Sequence, residues 1–214
     1  AHISGDETMK NAFLSGEDIH AVTASQVFGV PLAEVTPEQR SHAKAVNFGI
    51  VYGISAFSLS QDIGVRPKEA QAYIDAYLEK YSGVREYMER VIAEAKEKGY
   101  VETLFGRRRP LPELRSSNFN TRAFGERVAR NMPIQGTAAD IMKLAMVNVH
   151  RRLRAEGLRS RVLLQVHDEL IAECPEDEAE RVKALLCEEM SGAAALSVPL
   201  TANAKIGRSW AQAH

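Results

Sequence analysis

The sequence predicts an α+β fold, helix-rich at first and strand-bearing towards its end, on three observations. Apolar residues recur at helical spacing between Thr36 and Gly99, behind explicit helix starts and stops. Two short apolar runs, Val162-Leu163-Leu164 and Leu170-Ile171-Ala172, flank a polar tip and read as a β-hairpin. A helix opened by Pro175 and a further strand around Val198 to Ile206 then complete an antiparallel sheet backed by helices.

Each element follows from local chemistry. Thr36 reads as an N-cap, Pro37 as the first helical residue and Gln39 as the reciprocal partner of a capping box. Pro67 opens a helix that runs to about Tyr81. After Gly83, the residues Val84, Tyr87, Met88, Val91, Ile92 and Ala95 fall at helical spacing until Gly99 stops them. A Pro- and Arg-rich segment, Gly106 to Pro112, is the expected domain boundary. Helical periodicity resumes from about Thr121 to Asn131, is expected to break at Pro133, and runs again from Thr137 to about Glu156. The Val162 to Cys174 hairpin follows, then a helix with Glu176, Asp177 and Glu178 in its first turn, where acids suit the helix dipole. No repeat or low-complexity tract occurs.

Composition sets wider bounds. The 214 residues are 45% hydrophobic and 26% charged, enough to bury a core in one or two compact units. No apolar run approaches the ~20 residues of a membrane span, and the polar start lacks signal-peptide features. Cys174 and Cys187 have neither CxxC spacing nor His partners, so neither a zinc site nor a disulfide framework is expected, and a reducing cytoplasm fits. Net charge is −1, yet residues 105–161 carry thirteen Lys and Arg against four Asp and Glu, a local +9 that leaves −10 elsewhere. A basic stretch of this kind suits a polyanion, the competing reading being that Arg151, Arg152 and Arg154 decorate a helix end.

Two motifs carry chemistry. Arg40, Lys44, Phe48 and Tyr52 lie four apart and are followed by Gly53, which puts two cations, a ring and a phenol along one helical stripe ~18 Å long. The free N–H groups at the helix start also favour an anion. That is what a triphosphate bearing a sugar and base needs; a solvated cationic face is the plainer alternative. The second motif, Val166-His167-Asp168-Glu169-Leu170, sets adjacent carboxylates at a hairpin tip. Oxygen ligands on a rigid hairpin suit Mg²⁺, although an acid in a tight turn often serves only its own backbone.

Together, Arg40-x-x-x-Lys44-x-x-x-Phe48-x-x-x-Tyr52-Gly53 and Val166-His167-Asp168-Glu169 resemble motifs B and C of the DNA polymerase I family, the family A DNA polymerases. The resemblance runs the whole chain. It takes in Asp18-Ile19-His20, Leu104-Phe105-Gly106-Arg107-Arg108-Arg109, and Asn131-Met132-Pro133-Ile134-Gln135-Gly136-Thr137-Ala138-Ala139-Asp140. Ala1-His2-Ile3-Ser4-Gly5-Asp6-Glu7 resembles the stretch after motif A, whose aspartate, the other metal ligand, is expected upstream of Ala1. The family pattern places Asp6 and Asp18 outside the metal site. It implies a right-hand fold with a helical fingers subdomain, residues 25–117, inserted into an antiparallel-sheet palm made of residues 1–24 and 118–214. A motif B helix that swings over bound nucleotide follows from that layout.

The implied reaction is template-directed attack of a primer 3′-hydroxyl on the α-phosphate of a dNTP, assisted by two Mg²⁺. By resemblance, Asp168 is a metal ligand and Glu169 a supporting carboxylate. Arg40 meets the terminal phosphate, and Lys44 meets the phosphate nearer the reacting bond as a candidate general acid. His20 joins the phosphate clamp. Phe48 packs on the sugar, a hydroxyl-free ring being associated with poor use of dideoxy terminators. Tyr52, with Gly53 permitting the bend, stacks at the templating base. Arg127, Asn131 and Gln135 resemble the family's minor-groove readers, and His167 sits at the primer terminus. Arg107 to Arg109 are expected to position phosphates or pack rather than read bases. The implied partners are primer-template DNA, dNTP and the remaining motif A palm and thumb segments of a monomeric enzyme, with no membrane. Two alternatives stay open: a DNA-binding module without catalysis, either a degenerate polymerase or a fragment that needs a separate motif A-bearing half, and a generic triphosphate binder, although no Gly-rich P-loop is present.

Overall fold

The structure, a computed structural model, describes residues 1–213. Its helices are α1 (Glu7–Leu14), α2 (Ile19–Phe28), α3 (Pro37–Val51), α4 (Ala56–Ile63), α5 (Pro67–Lys80), α6 (Ser82–Lys98), α7 (Phe119–Ala155), α8 (Ala179–Ser191) and α9 (Trp210–Ala213). Strands β1 (Tyr100–Glu102) and β2 (Arg108–Pro110) form one antiparallel hairpin, and β3 (Arg161–Val166) and β4 (Glu169–Glu173) form the other. The chain falls into two compact units, Ala1–Ile134 and the residues from Gln135 onwards. This division lies inside α7, whereas Gly106 to Pro112 sits wholly within the first unit and supplies β2. No helix of the described residues is long and apolar enough to cross a membrane.

In the first unit the local signals act as read. Thr36 Oγ1 accepts from the Gln39 amide at 3.2 Å, and the Gln39 side chain accepts from the Thr36 amide at 2.9 Å. Pro67 opens α5 and Gly99 closes α6. Met9, Val46, Ile50, Leu59, Tyr77, Tyr81 and Val84 form the main core, with the Tyr77 and Tyr81 rings edge to face at 4.9 Å. A second cluster joins Ala95 of α6 and Ala129 of α7 to Val101, Leu111 and Leu114.

Asp6 ties the start of this unit to its middle. It caps α1 by accepting from the Met9 amide at 2.7 Å, and its other oxygen accepts from the Gly83 amide at 2.8 Å. A Cβ at Gly83 would lie 2.9 Å from Asp6 Cα, a backbone atom that has no easy retreat. Gly83→Ala is therefore expected to cost about 2 kcal/mol, as overpacking typically does, measured as a lowered denaturant midpoint; an unchanged midpoint would show that the α1–α6 junction yields freely.

The second unit packs α7, α8 and the β3–β4 hairpin around Val149, Leu153, Val182 and Leu185, with Val162, Leu170 and Ala172 against them. Glu178 pins its edge. It accepts from the Ser160 hydroxyl at 2.5 Å, the Ser160 amide at 3.1 Å, the Arg159 amide at 3.1 Å and Arg159 Nε at 3.0 Å. The Ser160 hydroxyl first, then the Arg159 amide, hold its pKa down to about 2 from 4.5. A carboxylate pKa depressed in this way adds stability that is complete above pH 4.5 and lost as pH falls towards 2. The melting-temperature gap between wild type and Glu178→Gln should thus be full near neutrality and close on acidification; a constant gap would assign the effect to packing alone.

Three expectations are corrected. Pro133 does not break the helix: α7 runs through it for 37 residues. The missing N–H forfeits one hydrogen bond, to the Ala129 carbonyl. Ala129 itself is fully buried in the second cluster, with Met132 packed against it, and this tertiary packing outweighs the local penalty. The strand around Val198 to Ile206 does not form among the described residues, because no described strand pairs with it, and a strand without a partner has no ladder to satisfy its backbone. The turn after Pro175 is 3-10 through Glu176–Glu178, so α8 proper begins at Ala179.

Candidate functional site

On α3, Ala43, Val46, Asn47 and Ile50 face inward, whereas Arg40, Lys44 and Phe48 face solvent. The cationic-aromatic stripe is therefore available to a ligand. Lys44 Nζ lies 5.9 Å from the Phe48 ring centroid and makes no ion pair among the described residues. The Phe48 and Tyr52 rings are 6.1 Å apart, and Tyr52 is the C-cap, followed by Gly53 at φ +76°.

Helix α2 brings a second wall to this stripe. Asp18 caps α2 by accepting from the His20 and Ala21 amides at 3.0 and 3.1 Å, and its other oxygen takes Arg40 Nε at 2.5 Å. That bond to Arg40 is the main reason its carboxyl pKa is lowered. The pair holds Arg40 by Nε and leaves the two Nη groups without an acceptor among the described residues. His20 lies 6.0 Å from the Phe48 ring, and its Nδ1 meets Asn47 Nδ2 at 2.9 Å. Burial, then Arg40 and Lys44 against the opposing pull of Asp18, lowers the His20 pKa. With Asn47 Nδ2 donating to Nδ1, a neutral ring carries its proton on Nε2, a donor suited to phosphate oxygen.

In the other unit, Val166 pairs with Glu169, so His167 and Asp168 form a two-residue turn. His167 adopts φ +51°, unusual for a residue with a Cβ, and its carbonyl accepts Gln165 Nε2 at 2.6 Å. A bulge between Val162 and Leu164 re-aims the strand ahead of this tip. Asp168 is exposed at the tip and Glu169 is the first residue of β4, half-buried.

A model of DNA polymerase family A matches residues 1–212. The chain belongs to that family. It is 52% identical, over its full length, to DNA polymerase I of Streptococcus pneumoniae, of which it covers 24%. It is 54% identical to the Pseudomonas aeruginosa enzyme, covering 23% of it, and 55% identical over 210 residues to that of Bacillus subtilis, covering 24%. The chain thus spans about a quarter of the length of the curated relatives it matches. Among solved structures it resembles the POL domain of Pol1 from M. smegmatis, in a complex with DNA primer-template and dNTP, with a TM-score of 0.95 and 47% identity over all of this chain and 38% of that one. The α+β fold is accordingly that of a family A polymerase domain.

The remaining positions sort by contact. Arg127, Asn131 and Gln135 all fall on the uninterrupted α7, and Asn131 Oδ1 is buried without a hydrogen-bond partner. Arg108 stacks 4.7 Å over Tyr100 and pairs with Glu102 at 3.2 Å, which makes it a packing residue of the β1–β2 hairpin. The basic stretch is partly spoken for. Arg152 pairs with Glu156, Glu188 and Glu189, Arg159 with Glu178 and Asp177, and Arg161 with Glu173. Arg109, Arg115, Arg127, Lys143, Arg151 and Arg154 are exposed and make no ion pair among the described residues, which leaves them for a polyanion; the half-buried Arg122 and Arg130 make none either. Sequence reasoning missed Asn47; its signal was an amide at a core position of an amphipathic helix, where a buried polar group needs a partner.

Proposed function

We propose that these residues form the nucleotide-binding and metal-binding parts of a template-directed DNA polymerase that transfers a nucleotidyl group from a dNTP to a primer 3′-hydroxyl. The observation that carries the reading is the solvent-facing stripe of Arg40, Lys44 and Phe48, whose helix starts with a satisfied capping box and whose first cation is held in place by Asp18. Arg40, through its Nη groups, and His20, through Nε2–H, bind and orient the outer phosphates. Lys44 meets the phosphate nearer the reacting bond and supplies the proton to the departing pyrophosphate. Phe48 packs on the sugar, and Tyr52 with Gly53 closes the templating-base position. Arg127, Asn131 and Gln135 sense the minor groove, whose acceptor pattern tolerates any correct pair. His167 meets the primer end. Residues 25–117 act as fingers and residues 1–24 and 118–214 as palm.

The donor set suits a hard divalent cation only in part. Asp168 offers a carboxylate at a rigid tip with Glu169 beside it, while no group of three metal-binding side chains occurs among the described residues. Asp168 would thus hold Mg²⁺ together with a carboxylate from outside these residues, and the ion would supply Lewis-acid stabilisation of developing negative charge.

Primer extension on a primed template with dNTP and Mg²⁺, by the full polypeptide that carries these residues, tests the reading. Extension directed by template sequence supports it. DNA binding without extension would leave the non-catalytic alternative in possession.

A further inference from the structure

Arg130 of α7 occupies an unusual place. Its guanidinium lies against Gly53, so close that a Cβ there would meet Nη1 at 2.9 Å. It has no carboxylate partner among the described residues, and burial of the half-buried side chain lowers its pKa, with Glu126 acting against the shift. Its backbone is also held, since Tyr87 Oη of α6 donates to the Arg130 carbonyl at 3.4 Å, in the turn that Pro133 disturbs. A desolvated cation without a counter-ion requires a source of negative potential. One is at hand. Gly53 follows the C-cap of α3, whose last turn contains no basic residue of its own, and the C-terminal end of a helix carries a partial negative charge.

We propose that Arg130 is a positioning residue: supplied by another helix, it serves as the C-terminal cation of α3 and holds the Tyr52–Gly53 elbow in the arrangement that sets Tyr52 beside Phe48. The elbow's own hydrogen bonds, Gly53 amide to the Ile50 carbonyl at 2.9 Å and Ile54 amide to the Gly49 carbonyl at 2.8 Å, tighten the turn on which the guanidinium rests. Gly53 is needed twice over, for its positive φ and for the space that Arg130 fills. The consequence for synthesis rests on the polymerase reading above: an elbow that stays formed places the Tyr52 ring at the templating position before nucleotide arrives.

The test compares Arg130→Met, close in volume but uncharged, with Arg130→Lys in the full polypeptide. Amide hydrogen exchange at Gly53 and Ile54 should accelerate about two- to fivefold in Arg130→Met, the range a cation at a helix end typically carries, and return towards wild type in Arg130→Lys. KM for dNTP should rise by a similar factor in Arg130→Met with kcat little changed, while exchange in the middle of α6 stays constant. Should Arg130→Met not fold, Arg130→Gln takes its place in the same comparison. Unchanged exchange at Gly53 and Ile54 overturns the proposal, as does an Arg130→Lys variant no better than Arg130→Met. Exchange that responds as expected in a wild-type protein that cannot extend a primer would sink the polymerase reading and the catalytic consequence, while the electrostatic role of Arg130 would stand.

Discussion

Replacing Asp168 with asparagine is expected to reduce primer extension by about a thousandfold or more, the equivalent of several kcal/mol of lost metal-assisted stabilisation. The size follows from what asparagine cannot do: it keeps the shape of the side chain and removes the charge that holds a divalent cation. The fold should not notice. Asp168 is exposed at a two-residue turn whose geometry is held by the Gln165 bond to the His167 carbonyl and by the pairing of Val166 with Glu169, neither of which uses the Asp168 carboxylate. Unfolding free energies of wild type and Asp168→Asn should therefore agree within about 0.5 kcal/mol, the usual span for a surface change away from special features. Asp168→Asn that extends primers at the wild-type rate would remove Asp168 from the metal site.

The second large effect is expected at Lys44. Lys44→Met should lower kcat about a hundredfold, the scale of a lost general acid or of a lost cation at a transferring phosphoryl group. Lys44 is the cleaner probe of the stripe because it is exposed, lies over the Phe48 ring at 5.9 Å and has no ion pair among the described residues. Arg40→Met, by contrast, would also release Asp18 and so disturb the start of α2. Rapid-quench measurement of a single nucleotide addition separates the outcomes. A fall in rate with dNTP affinity nearly intact supports the proton-donor role, a weakened affinity at unchanged rate would reduce Lys44 to a binding residue, and no change in either would remove it from the site.

Much of the candidate site could be read along the chain because its parts are local. The Thr36 and Gln39 capping box, Pro37 at the first helical position and the four-residue spacing of Arg40, Lys44 and Phe48 each involve residues within a turn or so of one another, and the structure realises them as read. Gly99 and Pro67 acted the same way at helix ends. Pro133 shows the limit. Its effect on the backbone is local and unfavourable, but the packing of Ala129 and Met132 comes from α6 and the β1–β2 hairpin, so the residue's own chemistry lost to contacts it cannot foretell. The basic segment shows the same limit for charge. Counting thirteen cations between residues 105 and 161 could not reveal that Arg152, Arg159 and Arg161 are met by acids from residues 156–189.

By itself, then, the sequence determined where α3 starts, which of its faces bears the cations, and that a carboxylate tips the β3–β4 turn, because capping, helical spacing and hairpin turns are settled by neighbours along the chain. Only the tertiary structure decided how those groups are held: Asp18 on Arg40 across 22 residues, Asp6 under Gly83 across 77, and Arg130 of α7 against the end of α3. The physical reason is that a charge or a polar atom acts through space, and which distant partner reaches it is chosen by the packing of the cores, not by the order of the residues.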